Sequence, residues 1–110
     1  MSRRLDTILI DAKTAANAKG TIGLADIANI DEIGIYTEFD HTSEAGTVVI
    51  ETASAPDYAG TWAVLATINW AAIDKSHYTA ITGVYRALQA RISSAITSGT
   101  VTVRLVGNLT

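Results

Sequence analysis

The sequence predicts an all-β domain, an antiparallel β-sandwich of six to eight short strands in a jelly-roll-like or immunoglobulin-like arrangement. Three observations predict this fold. Apolar and polar residues alternate with a period of two in several short runs, as in half-buried strands. Turn-forming residues separate the runs. Hydrophobic residues make up 48% of the 110 residues and charged residues 17%, so the chain can bury a core. We expect residues 1–110 to form one domain, with residues 1–6 as a flexible arm.

The N-terminal third predicts two strands. Residues 5–12 form the expected first strand, and residues 21–27 a short second one. Ile27, Ile30 and Ile33 are also spaced as neighbours on one helical turn, so a short helical turn remains an alternative for this region.

The middle of the chain predicts three more strands. Apolar residues from Ile33 to Phe39 alternate with polar ones, and the β-branched segment 47–52 is expected to pair with this strand across a turn at Gly46. Residues 53–60, which include the only proline, form a loop that leads into a strand at residues 61–65. We expect a hairpin-like connection there.

The C-terminal third gives the clearest alternation. Residues 69–75 permit one helical turn, and residues 76–83 predict a loop or a weak strand. Residues 84–107 predict a β-hairpin with its turn at Gly99. The residues expected to face inward along its first strand are Val84, Leu88, Ala90, Ile92 and Ile96.

Composition limits the classes of partner. A net charge of −3 gives no concentrated positive field for a phosphate backbone, so we expect no nucleic-acid partner. No apolar stretch approaches the length of a membrane span or of a signal peptide's core, so we expect a soluble product of the cytoplasm with no membrane partner. The absence of cysteine excludes disulfides and thiolate chemistry.

No set of residues predicts catalysis. His41 lies in a polar turn, and His77 has no second histidine at a ligand's spacing. Asp26, Asp31 and Glu32 form an acidic cluster without the ligand pattern of a calcium loop, which favours a solvated surface. We therefore expect no enzyme activity, no cofactor and no metal site.

Three aromatic residues have competing interpretations. Trp62 follows a loop glycine on the face that alternation assigns inward, so we expect it in the core between the sheets. Trp70 and Tyr58 lie in predicted loops, where each can be buried or can present a ring to a ligand or partner.

Part of the chain resembles a known group of proteins. The resemblance lies in four segments, residues 46–51, 60–65, 83–92 and 98–105. Their strand, turn and core residues resemble small β-sandwich domains of tailed-bacteriophage virion proteins, a group that includes capsid decoration (cement) proteins, head fibres and tail-fibre modules. The resemblance implies a capsid decoration protein made in the host cytoplasm. Such a protein sits on the capsid surface, often as a homotrimer, and stabilises the shell by non-covalent contacts with the major capsid protein or another virion protein.

Attachment to a shell needs a contact patch. The candidate residues are Arg3, Arg4 and Leu5 of the arm, which we rank first because a free terminus can order on a partner, and then Tyr58 and Trp70. The alternative is a carbohydrate- or receptor-binding module of a fibre or tail, with Trp70 and Tyr58 as stacking platforms. In either case we expect Arg91 to pair with Glu51 on a solvent-exposed face.

Overall fold

The computed structural model describes residues 3–13, 15–23, 27, 30, 32–39, 45–70, 76–97 and 99–109. Within these ranges it contains eight strands, which confirms the predicted all-β sandwich. The strands are β1 (Arg3–Lys13), β2 (Lys19–Gly23), β3 (Glu32–Phe39), β4 (Ala45–Ala53), β5 (Ala63–Trp70), β6 (Ser76–Thr82), β7 (Ala87–Thr97) and β8 (Val101–Leu109).

The strands form two antiparallel sheets of four. The front sheet has the order β1-β8-β3-β6, and the back sheet has the order β2-β7-β4-β5. Among the described pairings, only β4 and β5 are consecutive along the chain. The other links between described strands cross from one sheet to the other.

The core lies between the two sheets and is built from alternate residues of their inner faces. β3 contributes Ile33, Ile35, Thr37 and Phe39, which are all buried as the alternation predicts. Across the core, β7 contributes four buried residues, Leu88, Ala90, Ile92 and Ile96. Val84, by contrast, is 81% exposed, because it lies in the connection between β6 and β7 and not in the strand.

The predicted hairpin at residues 84–107 is wrong. β7 pairs with β2 and β4 in the back sheet, whereas β8 pairs with β1 and β3 in the front sheet. Alternation shows which face of a strand is buried, but not which strand lies beside it. Both strands bury an apolar face because they belong to opposite walls of one core.

The predicted pairing of residues 33–39 with residues 47–52 is also wrong, because β3 and β4 lie in different sheets. The hairpin-like connection after β4 is confirmed, since β4 pairs with β5. Its second strand begins at Ala63 and contains a β-bulge, because Ile50 pairs with Ala66 whereas Glu51 pairs with Val64. Leu65 is the extra residue.

Two local expectations differ from the structure. Residues 3–6 are not a free arm, because the backbone of β1 pairs with β8 from Arg3 opposite Leu109 onward. The expected helical turn at residues 69–75 begins instead as strand, with Asn69 and Trp70 paired with Thr47 and Gly46; residues 71–75 lie outside the described residues. Residues 76–82, expected to be a loop or a weak strand, form β6.

The two sheets approach each other closely where β1 passes β2. A Cβ atom added to Gly20 would overlap the backbone oxygen of Leu9. Only glycine therefore allows this backbone-to-backbone approach.

Candidate functional site: a polar cleft on the back sheet

Outward-facing polar residues meet on three neighbouring strands of the back sheet. Lys19 of β2 lies opposite Arg91 of β7, and Gln89 of β7 lies between Thr21 of β2 and Glu51 of β4. The inner faces of these strands are apolar, so alternation directs the polar side chains to the outer face.

The Glu51 carboxylate is the centre of this group. Arg91 donates to it from Nε (3.0 Å to Oε1) and from Nη2 (3.2 Å to Oε2), and Gln89 Nε2 donates to Oε1 at 2.9 Å. Thr21 extends the network by donating from Oγ1 to Gln89 Oε1 at 3.3 Å. The predicted Arg91–Glu51 pair is confirmed, but Glu51 is only 4% exposed and not on an open face.

The carboxylate stays charged in spite of its burial. Burial raises the pKa of Glu51, but the hydrogen bonds from Arg91 and Gln89 and the positive charges of Arg91 and Lys19 outweigh it, so the pKa lies below its ordinary value of 4.5. The same contact raises the pKa of Arg91. The pair is therefore ionised at neutral pH.

The connection between β4 and β5, here called the 54–62 loop, folds back over the outer face. Pro56 lies directly against Gly23 of β2, and Arg86 Nε donates to the Ser54 carbonyl oxygen at 3.0 Å. At the far end of the loop, Trp62 Nε1 donates to the Tyr58 carbonyl oxygen at 3.0 Å. The loop is thus fixed at both ends.

Loop and sheet enclose an open cleft of about 290 Å³. Its floor and sides are formed by Lys19, Glu51, Tyr58, Ala59, Gly60, Thr61, Trp62, Gln89 and Arg91. The Tyr58 side chain is 46% exposed and lies against Gly60, where a Cβ atom would overlap its hydroxyl group. The cleft therefore combines one exposed aromatic side chain with two cations and one anion.

The outer face of the front sheet carries a different feature, here called the tyrosine row: Ile8, Arg104, Tyr36 and Tyr78. These residues are cross-strand partners on β1, β8, β3 and β6. The three apolar members are between 41% and 58% exposed, and the Tyr36 and Tyr78 ring centroids are 4.9 Å apart. Arg104 Nη1 binds Asp6 Oδ1 at 2.9 Å in an exposed ion pair.

The structure does not bring the predicted contact residues together. Arg3, Arg4 and Leu5 lie in β1 at the edge of the front sheet, and only their backbone is described. Tyr58 lines the cleft beside the start of β5, whereas Trp70 is at the opposite end of that strand.

Trp62 is buried as predicted, with 9% exposure, but not between the sheets. It lies outside the core cluster, at the end of the 54–62 loop, and lines the cleft on the outer face of the back sheet. Alternation assigned it to the same face as Val64, which is 55% exposed. Trp62 precedes β5, so strand alternation does not determine its position.

The residues weighed for catalysis or metal binding are not assembled in the described part of the chain. His77 in β6 packs edge-on against Phe39, with ring centroids 5.9 Å apart. His41, Asp26 and Asp31 lie outside the described residues. No group of three metal-ligating side chains occurs within the described ranges. Those ranges also contain no helix of the length and hydropathy that a bilayer crossing requires.

Sequence reasoning missed two members of the cleft, Lys19 and Gln89. Gln89 stands on the polar side of the alternating run, which signals an outward residue but not a buried one. Lys19 has no signal of its own, because its place depends on the pairing of β2 with β7.

No protein-family model matches this chain, and no curated protein sequence matches it. Solved structures do. The SPBc2 prophage-derived protein YomS has a TM-score of 0.70 at 11% identity, over 98% of this chain and 95% of that one.

Two further similar structures come from proteins of other kinds. The empty capsid of Triatoma virus contains a chain with a TM-score of 0.54 at 10% identity, over 99% of this chain and 86% of that one. The CBM32 module of AlyQ, solved with 4,5-unsaturated mannuronic acid, has a TM-score of 0.56 at 10% identity, over 94% and 75%. At such identities these likenesses establish the fold, which proteins of different functions share.

Proposed function

We propose that this chain is a structural protein of a bacteriophage virion, and in particular a capsid decoration protein that binds the head shell and stabilises it by non-covalent contacts. The observation that carries the proposal is the match with prophage-derived YomS, which extends over nearly the whole length of both chains. The similarity thus covers both sheets of the β-sandwich.

The chemistry of the described residues supports binding over catalysis. Glu51, the buried acid of the cleft, accepts three hydrogen bonds, and its pKa is lowered. A general acid needs the opposite, a carboxyl group whose pKa is raised towards neutrality. In the proposal Glu51 is therefore a structural group of the cleft and not a general acid.

The proposed contact surface is the outer face of the front sheet. Tyrosine and arginine are enriched among the residues that dominate binding energy at protein interfaces, and the tyrosine row presents both on a regular surface. Arg3, Arg4 and Leu5 adjoin it, because they begin the strand that carries Ile8. The partner is the major capsid protein or another virion protein, and the proposed oligomer is a trimer.

The direct test is the location of the chain in particles. Phage particles are produced from cells that encode this chain, purified on a density gradient and imaged by electron cryomicroscopy. We expect the chain in regular copies on the outside of the head. Density on a tail or fibre would contradict decoration and favour the receptor-binding alternative, and absence from particles would contradict the virion role itself.

A second test addresses the surface. The double variant Tyr36→Thr, Tyr78→Thr keeps β-branched residues on β3 and β6 but removes both rings. We expect it to lose co-sedimentation with undecorated heads, whereas the matched surface variant Val84→Ser binds normally. Equal binding by both variants would show that another face makes the contact. Light scattering of the free protein tests for a trimer of the 11.6 kDa chain.

A further inference from the structure

The cleft on the back sheet has an excess of positive charge. Lys19 and Arg91 contribute two cations and Glu51 one anion. Arg91 uses two of its five N–H groups on Glu51, and Lys19 makes no ion pair with any described residue. Because Glu51 already accepts three hydrogen bonds, the remaining donors of Lys19 and Arg91 are available to an anion from solution.

The cleft also has a wall suited to a sugar ring. Tyr58 lines it with 46% of its surface exposed, and its ring lies beside Gly60. Aromatic rings pack on the C–H faces of sugars, while the polar groups around them bind the hydroxyls. A volume of about 290 Å³ is at the small end of ligand pockets and suits one or two rings.

We infer that this cleft binds an acidic sugar, with its carboxylate held by Lys19 and Arg91 and its ring packed on Tyr58. Glu51 and Gln89 act as positioning residues, because they fix the guanidinium group through the network described above. The inference goes beyond the proposed function, since attachment to a shell requires no small ligand. It also differs from the stacking platform expected from the sequence, because Trp70 lies at the other end of β5.

The test is a titration of ¹⁵N-labelled protein monitored by NMR. The probes are sodium glucuronate, galacturonate and N-acetylneuraminate, with glucose and galactose as neutral controls and inorganic phosphate as an anion without a sugar ring. We expect at least one acidic sugar to shift the Trp62 indole N–H, the Gln89 side-chain amide and the Arg91 Nε–H signals in a saturable manner. Neutral sugars at the same concentration leave these signals unchanged.

Variants assign the contacts. Lys19→Gln and Tyr58→Ser each raise the dissociation constant at least about fivefold, whereas the charge-matched control Lys13→Gln on the front sheet changes it less than about twofold. Three results would overturn the inference: no saturable shift with any acidic sugar, equal affinity for phosphate and for the sugars, or equal effects of Lys19→Gln and Lys13→Gln. None of them bears on the location of the chain in particles, so the two proposals fail separately.

Discussion

Replacing Arg91 with methionine tests how the cleft is held together. Methionine keeps most of the length of the aliphatic stem and removes the guanidinium group. The variant leaves the Glu51 carboxylate, whose side chain is 5% exposed, with the single hydrogen bond from Gln89. Two of the three hydrogen bonds on the carboxylate are lost.

The expected cost follows from these contacts. A hydrogen bond to a charged group contributes about 1.5–3 kcal/mol, and removing one partner of a buried ion pair costs about 3–5 kcal/mol. Arg91 itself is 30% exposed, so solvent screens part of the interaction. We expect the free energy of unfolding to fall by about 3 kcal/mol at pH 7. For 110 residues this corresponds to a Tm lower by about 13 °C.

The cost should depend on pH in a defined direction. Because the pKa of Glu51 is lowered in the folded protein, its stabilising contribution is present above the ordinary value of 4.5 and is lost as the pH falls through the lower, folded value. In Arg91→Met, burial still raises the pKa of Glu51, and only Gln89 and Lys19 remain to lower it. Glu51 therefore takes up its proton at a higher pH than in the parent. The difference in the free energy of unfolding between variant and parent is therefore largest near neutrality and shrinks as the solution becomes more acidic.

Urea unfolding at several pH values measures this difference. The control is Arg104→Met, which removes the exposed ion pair with Asp6, whose two side chains are 41% and 46% exposed. That change should cost no more than about 1 kcal/mol at any pH. A cost for Arg91→Met below about 1 kcal/mol, or one that is the same at pH 7 and pH 3, would refute the reasoning.

Three other substitutions test the packing. Trp62→Ala should destabilise the protein by about 3–5 kcal/mol in calorimetry, because a buried ring that fixes the 54–62 loop is removed; a loss below about 1 kcal/mol would mean that the ring is not packed in solution. Gly20→Ala should cost at least about 2 kcal/mol in urea unfolding, because its Cβ atom meets the backbone of Leu9, and a neutral result would contradict the close approach of β1 and β2. Thr37→Val should stabilise the protein by about 1 kcal/mol, since the Thr37 Oγ1 atom is buried and has no hydrogen-bond partner among the described residues; a Tm below that of the parent would indicate a partner in solution.

The sequence predicted which face of a strand is buried better than it predicted which strands pair. The buried sides of β3 and β7 follow from alternation, because one residue step reverses the side chain and the core accepts only the apolar set. The pairing of β7 with β4, and not with β8, depends on contacts between residues far apart in the chain, such as Glu51 and Gln89. Local patterns carry no information about such contacts.

The lack of information about distant contacts also explains which parts of the cleft the sequence predicted. Tyr58 and the Arg91–Glu51 pair were recognised from residue type and alternation, but their place in one cleft was not. The cleft requires the 54–62 loop to turn back over the outer face, where Pro56 meets Gly23. It also requires Lys19 to come from β2, which pairs with β7. The position of the loop and the pairing of β2 both depend on contacts between residues far apart in the chain.

The strand order has a consequence for how the molecule folds. β7 and β8 come last in sequence among the eight described strands, yet each is an interior strand of its sheet, between β2 and β4 and between β1 and β3. Without residues 87–109, the described strands retain only the β3–β6 and β4–β5 pairs. Neither sheet is complete until β7 and β8 have joined it, so the native state depends on contacts between residues far apart in the chain and forms slowly.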